Sequence, residues 1–320
     1  MNPSAPPALR ATHFLSILDL SADELARLIT LAAELKAARA LGDRAPSARA
    51  LGGAHVALLF EKPSLRTRST FEVAVNELGG HTLHLPREFA DGAREPLPDL
   101  ARNLERWVKA LVIRTYAHDK VRTLAAAVSR LHVINALSDA EHPCQAIADV
   151  LTMTERWGAG EGRTVAYVGD GNNVATSLMQ ASVLSGISVH LASPEGYELP
   201  PPVVDSARRA ARAGARVSTF GSAREAVAGA DAVYTDVWTS MGQEREASVR
   251  RAAFRQFQVD DALMSAAAPG AIFMHCLPAH RGEEVSAGVF DSPASVVFDQ
   301  AENRLHAQKA LLLMLLAADR

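Results

Sequence analysis

A rhythm of short, almost wholly apolar runs, each followed by a longer stretch with helical spacing, limits what this chain can become. The runs cover residues 54–60, 110–113 and 131–137 and, after a glycine-rich break at 158–162, residues 164–168, 188–192, 215–220, 232–237 and 271–276. Strands buried on both faces read as continuous apolar runs, and parallel neighbours need a long crossover that a helix usually supplies. The rhythm therefore predicts two parallel sheets with helices on their faces. Residues 98–108, 120–128, 173–184 and 201–213 supply crossover helices, and Phe71, Val75 and Leu78 mark another that Gly79-Gly80 stops. Ser21 and Glu24 have capping-box spacing ahead of Leu25, Leu28, Ile29, Ala32 and Leu35, which recur on one helical face. A helix over 142–157, patterned on Ile147, Val150, Leu151 and Thr154, joins the two series, and the last helix, 302–318, is apolar on most sides. The expected fold class is α/β, two tandem domains, each a parallel sheet flanked by helices, joined by interdomain helices. The expected domains are 1–145 and 146–300, with 301–320 packing back on the first.

The 320 residues suffice for two separate cores. With 33 Lys+Arg against 36 Asp+Glu there is no basic surplus, so neither nucleic acid nor a membrane surface is an expected partner. The longest apolar run, 310–318, falls short of the ~18–20 residues a membrane helix needs. The opening MNPSAPPALRATHF lacks the build of a signal peptide, and its prolines predict a short mobile tail. Cys144 and Cys276 are too few and too far apart for a disulfide framework, which points to free thiols in a reducing cytoplasm.

In open parallel sheets ligands bind beyond the carboxyl ends of the strands, so the loops there are where chemistry is expected. Ser64-Leu65-Arg66-Thr67-Arg68 follows a strand and opens a helix, which sets hydroxyls, backbone N–H groups and guanidiniums at a positive helix end. It reads equally as an anion pocket or as a capping serine with solvated arginines. Arg114 ends another strand, and His142-Pro143-Cys144-Gln145 opens the joining helix. Together these residues are able to polarise a carbonyl and hold a phosphate. Gly169-Asp170-Gly171-Asn172-Asn173 imitates a dinucleotide fingerprint, but position 174 is Val and the only acid at the right distance is Glu195, behind Pro194. That argues against an NAD-dependent oxidoreductase. The two asparagines either offer amides to a polar ligand or cap the helix. Asp236, ahead of Thr239-Ser240-Met241-Gly242, suits an ammonium group. Cys276, between His275 and Leu277, is open to core packing, nucleophilic attack or proton acceptance. His275, Cys276 and His280 raise the idea of zinc, but adjacent residues on a strand end are expected to point apart, so no metal is expected.

Taken in order, FEKPSLRTR, the Val-Ile-Arg-Thr strand end, HPCQAIAD, GDGNN, DVWTSMGQE, MHCLPAHRGEEV and VVFDQAENRLHAQKA resemble the aspartate/ornithine carbamoyltransferase family over nearly the whole length, and its ornithine branch in particular. The resemblance implies that Ser64, Leu65, Arg66 and Thr67 cradle phosphate. It places Arg114, His142 and Gln145 at the carbamoyl end, with Cys276, Leu277 and Arg304 completing the carbamoyl-phosphate set. Asn173, Asp236, Ser240 and Met241 are implied in holding ornithine, and Cys276, Arg114 and His142 in catalysis. It implies carbamoyl transfer from carbamoyl phosphate to the δ-amine of L-ornithine, giving citrulline and phosphate in arginine biosynthesis, with no metal or organic cofactor. It also implies a cytoplasmic homotrimer or assembly of trimers. Acetylornithine or putrescine is the alternative acceptor. Two positions depart from the family pattern. Leu65 stands where a threonine is common, and the loop 84–95 offers Ala90 or Asp91 where relatives place a residue that reaches a neighbouring subunit.

Overall fold

A computed structural model describes residues 8–212, 214–240 and 242–319. Residues 1–7 of the opening segment and Met241 lie outside the described residues. The rest of the segment read above as a mobile tail is held in place, with Leu9 and Phe14 buried and the Phe14 N–H donating to the Val133 carbonyl at 2.8 Å. The chain divides into two units, Met1–Leu151 with Glu302–Arg320, and Thr152–Ala301.

The first unit opens with α1 (Ala22–Ala38), where the Ser21 hydroxyl accepts from the Glu24 N–H and the Glu24 carboxylate accepts from the Ser21 N–H. Then follow β1 (His55–Phe60), α2 (Leu65–Glu77), β2 (His81–Leu85), α3 (Leu97–Leu104), β3 (Ala110–Arg114), α4 (His118–Ala126), β4 (His132–Leu137) and α5 (Pro143–Trp157). The strands are parallel in the order β2-β1-β3-β4. Leu59, Leu111, Ile113 and Val133 from the sheet bury against Leu100, Leu104, Val121 and Leu124 from α3 and α4, each worth about 2 kcal/mol. β2 departs from the sequence expectation. It reads His-Thr-Leu-His-Leu on an edge and buries no residue fully, so it lacks the apolar run that marks its neighbours.

The second unit contains β5 (Thr164–Val168), α6 (Asn173–Leu184), β6 (Ser188–Ala192), α7 (Pro201–Ala210), β7 (Val217–Phe220), α8 (Ala223–Val227), β8 (Ala232–Thr235), α9 (Ala247–Phe254), α10 (Asp261–Met264), β9 (Ile272–His275) and α11 (Ala287–Phe290). Its parallel order is β7-β6-β5-β8-β9. The final helix, α12 (Val297–Leu315), begins earlier than the apolar pattern predicts. The division between units falls inside α5 and inside α12. α9 is absent from the sequence expectation because its buried positions are Arg250 and Phe254, and an arginine interrupts the apolar stripe.

In each sheet the strand order reverses once, between β1 and β3 and between β5 and β8. Loops leaving adjacent strands in opposite directions open a crevice there. Among the described residues no helix is long and apolar enough to cross a membrane.

Candidate active site

The first crevice lies beyond β1 and β3. Phe60 and Arg114 are register partners, so the loop after β1 and the guanidinium ending β3 emerge side by side. The β3–β4 register shifts between Ile113, opposite Asn135, and Arg114, opposite Leu137, an irregularity that re-aims a strand-end side chain. Arg114 Nη1 donates towards the hydroxyls of Ser64 and Thr67, at 3.4 Å from each. Ser64 holds the N-cap position of α2, but its hydroxyl makes no capping bond. The capping alternative raised from the sequence is therefore not what the serine does. The Leu65 side chain is 77% exposed, which leaves its backbone as its contribution at the helix start.

Arg304, from α12, is 3% exposed and donates to Thr67 Oγ1 and Gln145 Oε1. Gln145 Nε2 donates in turn to Asp149 Oδ1 at 2.7 Å. His142 is buried in the same unit. Desolvation, then the charges of Arg304, Arg114 and Lys62, hold its imidazole well below 6.5, so it is neutral at pH 7. Burial pushes the Cys144 thiol up to about 12, and its S–H faces the Asn135 carbonyl at 3.4 Å. This thiol packs.

Lys62 is a residue that motif spacing does not single out. Its ammonium lies 4.1 Å from the centre of the Tyr116 ring, and burial followed by the nearby Arg114 charge lowers its pKa. Glu61 beside it accepts from the Thr115 hydroxyl, from the Tyr116 N–H at 3.3 Å and from Lys120 at 2.9 Å, which braces the loops after β1 and β3 together. In the altered loop, Ala90 is buried in the core of its own unit and Asp91 lies 3.8 Å from Lys120.

The second crevice lies beyond β5 and β8. Asn172 caps α6, accepting from Val174 N–H at 2.9 Å and Ala175 N–H at 3.1 Å, while its Nδ2 donates to Asp236 Oδ2 at 2.8 Å. The capping alternative holds for Asn172, whose amide is turned to Asp236, and Asn173 takes the first helical position. The Cys276 thiol donates to Asp236 Oδ1 at 3.1 Å, so both oxygens of this 6% exposed carboxylate are engaged. Ser240 sits in a turn closed by Gln243, whose Oε1 accepts the Ser240 N–H at 3.2 Å. Gly171, which gave the motif its dinucleotide look, has a different purpose. A Cβ there would stand 2.4 Å from Leu199 N, and the Gly171 N–H donates to the Tyr197 carbonyl at 2.8 Å. Backbone already fills the space that a pyrophosphate would use in such a fingerprint.

Leu277 adopts φ +61°, an uncommon conformation for a leucine. Its N–H donates to His275 Nδ1 at 2.8 Å, and His275 Nε2 faces Glu284 Oε1 at 3.2 Å. The expectation that these neighbours point apart needs correction. Ligand-type atoms of Asp236, His275 and Cys276 all lie within 4.8 Å of one another, because the turn at Leu277 folds His275 back beside Cys276. Both ring nitrogens of His275 are nevertheless engaged, so a metal here would have to break the bond that holds the turn.

Residues 12–155 match the carbamoyl-P binding domain of aspartate/ornithine carbamoyltransferases, and residues 161–315 match the Asp/Orn binding domain. An ornithine carbamoyltransferase of Parafrankia sp. (strain EAN1pec) is 53% identical over 310 residues, covering 96% of this chain and 97% of the relative. The ornithine carbamoyltransferase structure from Pyrococcus furiosus superposes with a TM-score of 0.90 at 48% identity, covering 96% and 97% of the two chains. An N-acetyl-L-ornithine transcarbamylase structure matches at 31% identity and a TM-score of 0.83, covering 95% and 99%. With both halves of the family's architecture matched in order, the chain belongs to the aspartate/ornithine carbamoyltransferase family.

Proposed function

We propose that the chain transfers the carbamoyl group of carbamoyl phosphate to the δ-amine of L-ornithine, releasing L-citrulline and phosphate. The observation that carries this reading is the convergence of Arg114 and Arg304 on the Thr67 hydroxyl at the start of α2. Two guanidiniums, hydroxyls and a helix N-terminus suit a phosphate dianion. Ser64, Arg66, Thr67 and the Leu65 N–H hold the phosphate, and Gln145, fixed by Arg304 and Asp149, faces the carbamoyl amide. Cys276 and Leu277 keep the part in carbamoyl-phosphate binding that the resemblance gives them.

Asp236 meets the cationic end of ornithine, with Asn173, Ser240 and Met241 around the amino acid. An alkyl ammonium with a pKa near ~10.4 must lose a proton before it attacks. The hydrogen-bonded Asp236 and Cys276 pair is the acceptor for it. The nitrogen lone pair then bonds to the carbonyl carbon, and charge grows on the oxygen, where Arg114 and the neutral His142 stabilise it. The C–O bond to phosphate breaks, and the second amine proton leaves with the phosphate.

We place the protein in the cytoplasm, in arginine biosynthesis, as a homotrimer, working without metal or organic cofactor. These readings rest on the family resemblance. Citrulline formation against a panel of ornithine, acetylornithine and putrescine tests the acceptor, and a preference for either of the last two overturns the choice. Light-scattering mass tests the trimer, and unchanged turnover after chelation tests the absence of a metal.

A further inference from the structure

We propose that Arg250 is a positioning residue for the amino-acid half, a buried guanidinium that ties the turn after β5 to the loop after β8 and thereby fixes Asp236. The proposal rests on reading the second unit as that half. Arg250 is 4% exposed on α9, one turn before Phe254. Its Nη2 lies 2.5 Å from Asp170 Oδ2, and its Nε donates to the Trp238 carbonyl at 2.5 Å. Tyr197 and Phe254 cover the guanidinium at 4.8 and 5.3 Å, and Trp238 stacks on Phe254 with ring centres 6.0 Å apart.

Two routes run from this one side chain to Asp236. One passes through Asp170 and the short turn to Asn172, whose amide donates to Asp236 Oδ2 at 2.8 Å. The other passes through Trp238, two residues beyond Asp236 in the chain. The routes close a ring, and the turn has no slack, because Gly171 is pressed against the backbone at Leu199. A planar guanidinium donates in two fixed directions while its faces stack, and a lysine ammonium does not. A buried cation is also costly unless paired, which favours the geometry that keeps Asp170 beside it.

Steady-state kinetics of the full chain with Arg250→Ala and Arg250→Lys test this. The Ala variant is expected to raise the KM for ornithine by about tenfold or more, within the ~100-fold that remote misplacement produces. The KM for carbamoyl phosphate stays within about twofold, since Arg250 braces only the second unit; partial unfolding would lower the apparent kcat and leave both KM values where they are. Millimolar guanidinium ion, filling the vacated slot, lowers the ornithine KM of Arg250→Ala again. Arg250→Lys falls between wild type and Ala, and it decides by the same KM split if the Ala variant does not fold. Equal changes in both KM values, no change in either, or no guanidinium rescue of a folded Ala variant overturn the proposal. A wild-type chain that makes no citrulline from ornithine overturns the functional reading with it, whereas an active wild type with indifferent Arg250 variants overturns the positioning role alone.

Discussion

The two crevices solve opposite electrostatic problems with the same topology. In the first unit, side chains from α2, β3, α5 and α12 converge, and burial, followed by the cations there, depresses His142 and Lys62. In the second, the groups come from loops after β5, β8 and β9, and they are a carboxylate, a thiol and an amide around Asp236. A switch point supplies only the place. Permanent charge recruited from distant segments makes one crevice fit for a dianion, and a carboxylate paired with a thiol makes the other fit for a cation that must surrender a proton.

The largest expected break in this contrast is Arg114→Gln, which removes the charge proposed to face the growing oxyanion and is expected to lower kcat by ~10²–10³. An intact rate would remove Arg114 from the transition state. Cys276→Ala comes next. The thiol is half of the proposed proton-accepting pair, and its loss is expected to lower kcat by about 10², with the KM for carbamoyl phosphate nearly unchanged; an unaltered rate across the pH profile would take the thiol out of the mechanism.

A smaller effect separates His142 from the acidic crevice. Its folded pKa lies below 6.5, so the unfolded chain binds more protons as acid is added, and the stability this group contributes is present above pH 6.5 and lost as pH falls below it. Denaturant midpoints at about pH 7.5 and 5.5 should therefore differ less in His142→Gln than in wild type. An equal difference would argue that the imidazole is not held neutral. The smallest effect is expected from Cys144→Ala, which keeps kcat within about twofold and costs ~1 kcal/mol of stability, the usual size for such a core change. Comparable losses from the two cysteine variants would erase the distinction between the thiols.

The sequence carried the apolar strands well because burial on both faces leaves a continuous run, as at Val165, Ala166, Tyr167 and Val168. β2 escaped notice because an edge strand with histidines has no such run, and α9 because Arg250 sits where a helix is expected to place an apolar side chain. Loop motifs located Ser64, Arg114, His142 and Asp236 by position after strands. What spacing could not convey is partnership. The bonds from Arg304 to Thr67, from Asn172 to Asp236 and from Arg250 to Trp238 join segments that meet only after folding. The turn at Leu277 reversed the expected divergence of His275 and Cys276 because a left-handed residue lies outside the geometry of a strand end.

Thr67 shows how such partnerships set polarity. Its hydroxyl accepts from Arg114 Nη1 and from Arg304 Nη2, so both lone pairs are committed to donors that never lose their protons. The single O–H proton must then turn away from both guanidiniums. A group that elsewhere adapts to either kind of partner is here a one-way donor, and it rewards an incoming oxygen while rejecting an incoming N–H.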